Sequence, residues 1–179
     1  MMLKIKLKIY LLIKKIHYID LVMASNMNKN IIRKAKLSDN KKHRYSLKRI
    51  WDKDKPKVLF IMLNPSLADN YKDDPTIRRL IKFAKLFGYG GFYVGNLFSY
   101  ITPYPKELKN NIITKKNSSS VKKMINKVDD VVYAWGTNMQ EPVFLKKIVD
   151  NPKCFGKNKN QTPKHPLYLS QNTQLVDYS

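Results

Sequence analysis

The sequence predicts a single α/β domain with a central, mainly parallel sheet. Two observations lead to this fold class: three short apolar runs that are typical of buried strands, and segments with helix start and stop signals between them. The length of 179 residues suits one domain with a tail, and an apolar fraction of 43% is enough for a core. We expect residues 31–179 to form this domain and residues 1–30 to be a basic N-terminal extension.

The strands are predicted from their apolar runs. Residues 58–63 form a continuous apolar run closed by Asn-Pro, which is typical of a fully buried strand in a parallel sheet. Residues 91–97 and 130–136 have the same character. Before them, residues 26–44 are polar and predict an irregular lead-in, while residues 44–51 alternate as an edge strand would.

The helices are predicted from their end signals. Asp74 suits the N-cap and Pro75 the first position of a helix over residues 75–87, which Gly88 ends. Further helices are predicted over residues 118–127 and 141–150, followed by a basic loop over residues 151–164.

The N-terminal extension is basic and apolar but lacks the pattern of a targeting segment. Its longest apolar run, residues 9–13, is too short for a signal peptide or a spanning helix. Met23 would also make a sensible start site, so we expect the extension to be disordered or to result from an upstream start codon. A surface-bound amphipathic helix is the alternative. We expect a cytoplasmic protein with no membrane partner and no obligate protein partner.

The net charge of +22 needs a cause. An excess of 35 Lys and Arg over 13 Asp and Glu points to nucleic acid, an anionic membrane surface or an acidic partner. The abundance of Lys, Asn and Ile offers another cause, the codon bias of an AT-rich genome. The single cysteine excludes a disulfide framework and a multi-cysteine metal site.

Unusual polar residues follow the predicted buried strands. Asn64 follows the first, Asn96 ends the second, and Trp135 with Gly136 leaves the third, while His165 comes late in the chain. Ligands of open parallel sheets bind beyond the carboxyl ends of the strands, so these residues are candidates for one site. Each also has a plain structural interpretation, as a turn starter, a strand cap or a hydrogen-bonded loop histidine.

We expect neither a metal nor a cofactor. The glycines at 88–91 precede a strand instead of following one, so no phosphate-binding loop is predicted. Three histidines and one cysteine are a poor basis for zinc ligation. Asp69, Asp73 and Asp74 could hold Mg²⁺, or Asp74 could cap the helix while the other two are solvated.

Six motifs carry a resemblance to a known family. They are RYSLKRIW (44–51), FIMLNPSLAD (60–69), DDPTIRR (73–79), GYGGFYVGNLFSY (88–100), AWG (134–136) and PKHPLYL (163–169). On these motifs, the stretch from Arg44 to Leu169 resembles the DUF1643 family of bacterial and phage proteins. The family name itself implies no function.

The same motifs are similar, more distantly, to those of the uracil-DNA glycosylase superfamily. The matching residues are Asn64-Pro65, Asn96, Trp135-Gly136 and His165-Pro166. This resemblance implies a three-layer α/β/α fold and a DNA glycosylase, an enzyme that hydrolyses the N-glycosidic bond of a flipped base and leaves an abasic site. The implied substrate is a damaged or modified pyrimidine, and the implied partner is DNA.

The resemblance also implies a role for each matching residue. Asn64 would orient the water and His165 would donate a hydrogen bond to the departing base, so both would be catalytic. Asn96 would bind the base edge, and Phe98 or Tyr71 would stack on its face. The implied DNA contacts are Ser66, Arg78, Arg79, Lys164, Leu169 as an apolar wedge, and Ser170.

Two departures from the superfamily pattern leave the target base open. Leu167 and Tyr168 replace a Ser-Pro pair, which alters the phosphate contacts expected there. The first motif has no acidic residue, and the neutral Asn64 can only orient water, which suits a dissociative reaction. The base could be uracil or other damage removed in DNA repair, or a hypermodified phage base removed in antiviral defence.

Two other functions stay open on the sequence. A protein of the same fold could bind nucleic acid without cleaving it. A metal-dependent nucleotide-processing hydrolase could use Asp73 and Asp74 as ligands.

Overall fold

The structure is a computed structural model that describes residues 31–108, 112–137 and 139–178, with residues 10, 14 and 15 besides. The chain divides into two units, Met1–Ile31 and Ile32–Ser179. The predicted N-terminal extension, residues 1–30, lies outside the described residues apart from those three. The sheet belongs to the second unit.

Seven strands form one mixed sheet in the described part of the chain. They are β1 (Ile32–Leu37), β2 (Arg44–Ile50), β3 (Lys57–Met62), β4 (Gly91–Asn96), β5 (Asp130–Tyr133), β6 (Lys153–Cys154) and β7 (Val176–Asp177). Their order is β1-β2-β4-β3-β5-β6-β7. The neighbours from β4 to β6 pair in parallel, whereas β1 with β2, β2 with β4 and β6 with β7 pair antiparallel. The α/β class is confirmed, but the sheet is mixed where a mainly parallel one was expected.

Two predictions about the first strands are wrong. The predicted irregular lead-in contains β1, whose side chains alternate between exposed and half-buried, so that it lacks the apolar run of a buried strand. The predicted edge strand, β2, is covered by β1 and lies inside the sheet. Its arginines, Arg44 and Arg49, are buried, although charged residues in a strand usually indicate an edge.

Three helices and two 3₁₀ turns connect these strands within the described residues. They are α1 (Pro75–Leu86), α2 (Lys115–Ile125), α3 (Val143–Lys146), and the turns Pro105–Leu108 and Pro166–Tyr168. The N-cap of α1 is the predicted one, since Asp74 Oδ1 accepts a hydrogen bond from the Ile77 amide at 2.8 Å. The last helix is shorter than predicted, and Pro142 at its start provides no side-chain cap. None of the described helices has the length and apolarity to span a bilayer.

The core lies on both faces of the sheet. Alternate side chains of a strand point to opposite faces. Accordingly, Val58, Phe60 and Met62 of β3 belong to one core cluster, which includes Leu80 and Phe83 of α1. Leu59 and Ile61 belong to the other, which includes Val121 and Met124 of α2. Helix α1 therefore packs against one face of the sheet and α2 against the other.

Candidate functional site

The ends of four strands meet at one edge of the sheet. Strands β4, β3 and β5 are adjacent and parallel, so their carboxyl ends lie side by side. Asn96 is the last residue of β4, while Asn64 and Trp135 come two residues after β3 and β5. Strand β2 is antiparallel to β4, so its first residue, Arg44, lies at the same edge.

A cleft of about 760 Å³ opens at this edge. That volume lies within the range of small-molecule sites, which is about 300–1,000 Å³. The sequence-predicted residues that line it are Asn64, Ser66, Asn96, Lys164, His165 and Leu169, together with Trp135 and Gly136. The structure therefore brings the matched motifs to one place.

Asn64 is held by the loops at the cleft. Its Nδ2 donates to the Thr102 carbonyl oxygen at 2.7 Å and to the Pro65 carbonyl oxygen at 3.0 Å. These bonds fix the orientation of the amide group. The Oδ1 atom accepts no hydrogen bond from the part of the chain that the structure describes, so it is available to a water or ligand donor.

Asn96 lies deeper, with 2% of its surface exposed. Its main-chain carbonyl oxygen accepts a hydrogen bond from Nδ2 of the buried Asn117, on α2, at 2.8 Å. Its side-chain Oδ1 accepts from Nη2 of Arg44 at 3.3 Å. The other side-chain atom, Nδ2, is buried without a partner among the described residues.

His165 caps the 3₁₀ turn Pro166–Tyr168. Its Nδ1 accepts a hydrogen bond from the Leu167 amide at 3.3 Å. A neutral imidazole that accepts at Nδ1 carries its proton on Nε2. Burial lowers the pKa of His165, against a smaller opposing effect of the Asp74 carboxylate, and so favours this neutral form.

Gly136 turns the chain at the end of β5, beside the segment that carries His165. The glycine has a φ of +84°, a backbone conformation that residues with a side chain rarely adopt. Its amide donates to the Pro163 carbonyl oxygen at 3.0 Å, which ties the approaching loop to the end of β5. A Cβ at this position would lie 3.6 Å from Cβ of His165, so the two segments are in direct contact.

Neither aromatic residue expected to stack on the base lines the cleft. Phe98 packs against the second core cluster, on the face that carries α2. Tyr71 is 84% exposed in the loop before α1. The aromatic residues that do line the cleft are Trp135, which is buried, and Tyr168, which is 91% exposed at its rim.

The structure places the expected DNA contacts in three kinds of position: in the cleft, against the core and on the surface outside the cleft. Arg79 donates to the Leu169 carbonyl oxygen and stacks over the Phe83 ring, so its guanidinium holds the last motif to α1. Leu169 is half-buried and packs against the first core cluster. Arg78 and Ser170 are exposed but do not line the cleft. Ser66 and Lys164 are the predicted DNA contacts that line the cleft and have no described role in holding the core together.

The carboxylates of the metal hypothesis have structural partners. Asp73 pairs with Arg49 at 2.6 Å and with Arg33 at 3.3 Å. Asp69 accepts from the Tyr71 and Lys72 amides, each at 2.7 Å. Asp74 lines the cleft but caps α1. Among the described residues, no three His, Cys, Asp or Glu side chains are grouped so that they could hold a metal ion.

Arg44 and Tyr168 are among the cleft residues that sequence reasoning missed as site residues. Arg44 opens the first motif, but the sequence distinguishes it from Lys48 and Arg49 of the same strand by no local signal. Tyr168 stands where the superfamily pattern has a proline, and its exposure depends on the 3₁₀ turn, which has no clear local signal.

Comparison with known proteins identifies a family. A family model described as "Protein of unknown function (DUF1643)" matches residues 44–167. No curated protein and no solved structure matches the chain. The matched region begins at Arg44 and extends past His165, so it contains every strand exit that contributes to the cleft.

Proposed function

The chain belongs to the DUF1643 family, whose function is unknown, and from its site we propose that it is a monofunctional DNA glycosylase. The enzyme would hydrolyse the N-glycosidic bond of a flipped, damaged or modified pyrimidine and leave an abasic site. We propose with it a three-layer α/β/α arrangement and a distant kinship with the uracil-DNA glycosylase superfamily. The site would act in the cytoplasm, in DNA repair or against phage DNA.

The observation that carries this proposal is the convergence of three side chains. Asn64, Asn96 and His165 come from separate segments and line one cleft. A water-orienting amide, a base-binding amide and an imidazole donor together can serve the hydrolysis of an N-glycosidic bond. A protein that only bound nucleic acid through its positive charge would have no need of them together.

Asn64 supports the water side of the reaction. With Nδ2 held by two carbonyl oxygens, its Oδ1 can accept a hydrogen bond from a water. A neutral amide cannot take up the proton of that water, so bond cleavage has to run ahead of attack. The sugar would then carry positive charge before the water adds to it, as in other glycosyl hydrolyses that pass through oxocarbenium-like states.

His165 supports the base side. Because its Nδ1 is occupied by the Leu167 amide, the ring offers its Nε2–H as a donor. Negative charge builds on the base as the bond breaks, and a preorganised donor stabilises this charge more than it stabilises the ground state. A donor of this kind contributes about 10²–10³-fold to kcat.

The surroundings of the cleft support DNA as the partner. The net charge is +22, and Lys164 lines the cleft. Tyr168 stands at the rim with 91% of its surface exposed. We propose Tyr168, in addition to Leu169, as a group that enters the space left by the flipped base, because the Leu169 side chain packs against the core.

The proposal is tested by comparing binding and turnover on the same DNA. A panel of oligonucleotides carries uracil and oxidised, alkylated or phage-type modified pyrimidines, and each is incubated with the protein in EDTA. Release of a free base identifies the substrate. Tight binding without release from any member of the panel would contradict the glycosylase and favour the binding module. Activity that appears only when EDTA is replaced by Mg²⁺ would favour the metal-dependent hydrolase.

A further inference from the structure

Two buried arginines on β2 have very different surroundings. Arg49 is fully buried, with Nε bonded to Asp73 at 2.6 Å and its other nitrogens to the carbonyl oxygens of Lys48, Asp69 and Lys72. Arg44 is 3% exposed and forms no ion pair with any carboxylate in the described ranges. The guanidinium of Arg44 thus lacks the counter-ion that Arg49 has.

The bonds that Arg44 does make leave part of its charge unsatisfied. Nη1 donates to the Ala68 carbonyl oxygen at 2.6 Å, and Nη2 donates to Asn96 Oδ1 at 3.3 Å. Nε is buried without a partner among the described residues. Burial lowers the pKa of Arg44 to about 10, against the weaker attraction of the Asp74 and Asp69 carboxylates, so the group stays charged at neutral pH. Neither carboxylate forms an ion pair with it.

A buried cation without a counter-ion is unfavourable unless a ligand completes it. Buried charges in proteins are paired or coordinate an ion, because their desolvation is otherwise uncompensated. Arg44 lines the cleft, and so does Asn96, whose Nδ2 is the second buried donor without a partner. Two neighbouring donors with no acceptor predict a ligand that brings acceptor atoms and negative charge.

The hydrogen bond between Arg44 and Asn96 also determines which atom of the Asn96 amide is available to a ligand. Its Oδ1 faces the Arg44 guanidinium, so Nδ2 is the group left for a ligand. An asparagine amide can bind a base edge through either atom, and Arg44 selects the donor. The Arg44–Asn96 pair therefore favours a base whose edge carries acceptors, which are oxygen or ring-nitrogen atoms. It disfavours a base whose edge carries an exocyclic amine.

We propose that Arg44 is a further catalytic residue of the proposed glycosylase and the cation that stabilises the departing base as an anion. The inference rests on the proposed function. The C1′–N bond breaks with its electron pair moving onto the base, beside Arg44 and the Asn96 donor. Water adds to C1′, and its proton passes to solvent. The base leaves as the anion and takes up a proton from solvent afterwards.

The first test varies the acidity of the base that leaves. DNAs carrying uracil, 5-bromouracil and 5-fluorouracil are cleaved under single-turnover conditions by wild type, Arg44→Met and the matched control Lys34→Met. The control removes the same formal charge from an exposed position on β1. We expect Arg44→Met to lose about 10²–10³-fold on uracil and less on the more acidic bases, while the control follows wild type.

The dependence of the cleavage rate on the acidity of the leaving base should therefore differ between Arg44→Met and wild type. A merely structural role of Arg44 would not change this dependence. An Arg44→Met variant that is slower by the same factor on all three bases, or is as fast as wild type, would overturn the proposal. If the wild-type protein releases no base from any DNA, the proposed function fails instead, and a binding measurement then decides on Arg44.

That measurement records the side-chain NMR signals of Arg44 Nε–H and Asn96 Nδ2 while free uracil or inorganic phosphate is added. Shifts of both signals with uracil and not with phosphate support the assigned ligand chemistry without any turnover. A response to phosphate alone, or to neither probe, would overturn it.

A second variant tests, through its thermal stability, whether Arg44 lacks a counter-ion. Asn96→Asp places a carboxylate beside the Arg44 guanidinium, where the Oδ1 contact is now 3.3 Å. We expect a higher Tm together with a loss of base release, because the acidic side chain pairs with Arg44 and removes the free donor. A lower Tm in a folded variant would mean that the charge of Arg44 is already balanced in the wild type, which would overturn the inference.

Discussion

One hydrogen bond and the burial of the ring determine the protonation of His165 at the start of the 3₁₀ turn. The Leu167 amide occupies Nδ1, and burial favours the uncharged ring. The residue can therefore act as a neutral donor through Nε2 at physiological pH. Two predictions follow at the scale of this residue, one for activity and one for stability.

The activity prediction concerns His165→Asn, which keeps an acceptor for the Leu167 amide and removes the imidazole. We expect base release to fall by about 10²–10³-fold, because one preorganised donor to the departing base is lost. The Kd for modified DNA should stay within about twofold of wild type. His43→Ala is the matched control, since His43 bonds Ser99 and does not line the cleft. Equal losses in both variants would assign His165 a structural role.

The stability prediction concerns pH. The pKa of His165 in the folded state lies below its ordinary value of about 6.5, so the unfolded chain binds the proton more readily. The neutral ring thus contributes stability above about pH 6.5, and this contribution decreases as the pH falls through the folded-state pKa. Urea unfolding between pH 7.5 and 5 should show a smaller decrease for His165→Asn than for wild type. An unchanged pH dependence would contradict the assigned environment.

At this scale the sequence allowed part of the site to be predicted. Asn64, Asn96 and His165 could be found because each follows a recognisable strand end or motif. Arg44 could not, because its importance depends on contacts with Asn96 and Ala68, far away in the sequence. Phe98 was expected at the base on the resemblance, but its side chain packs against the second core cluster.

At the scale of the elements, the N-cap of α1 connects the fold to the cleft. Asp74 bonds the Ile77 amide at 2.8 Å and also lines the cleft. Asparagine and aspartate are equally good N-caps, whereas alanine leaves the amide without its partner. Substitutions at this position can therefore separate the contribution of the capping hydrogen bond to stability from that of the carboxylate charge.

We expect Asp74→Ala to lower the free energy of unfolding by about 1 kcal/mol and Asp74→Asn to leave it nearly unchanged. Chemical denaturation of the two variants beside wild type measures the difference. Equal destabilisation by both substitutions would show that the carboxylate charge, and not the cap, stabilises the start of α1.

The elements that could be predicted were those with a strong local pattern. Strands β3, β4 and β5 are buried on both faces and appear as apolar runs, and α1 has a clear cap. Strands β1, β6 and β7 could not be recognised. Strand β1 is polar and half-exposed, and β6 and β7 have two residues each. Pairing with neighbouring strands stabilises them, and that contribution is not visible in a local window.

At the scale of the whole molecule, the excess of positive charge should appear as salt-dependent DNA binding. The logarithm of the binding constant should fall linearly with the logarithm of the salt concentration, because bound phosphates release counter-ions. We expect Lys164→Ala to weaken binding to all sequences similarly and to reduce the slope by about 1. Fluorescence anisotropy at several salt concentrations measures this. An unchanged slope would mean that Lys164 does not contact a phosphate.

The central claim is that this cleft releases a base from DNA by hydrolysis. The most direct measurement incubates the purified protein, in EDTA, with DNAs that carry defined modified pyrimidines, and quantifies free base and abasic sites in the same sample. The result predicted is equal amounts of the two products from at least one substrate, with the rate of release of both reduced by about 10²–10³-fold in the His165→Asn variant. Absence of both products from every DNA that the protein binds would contradict the claim.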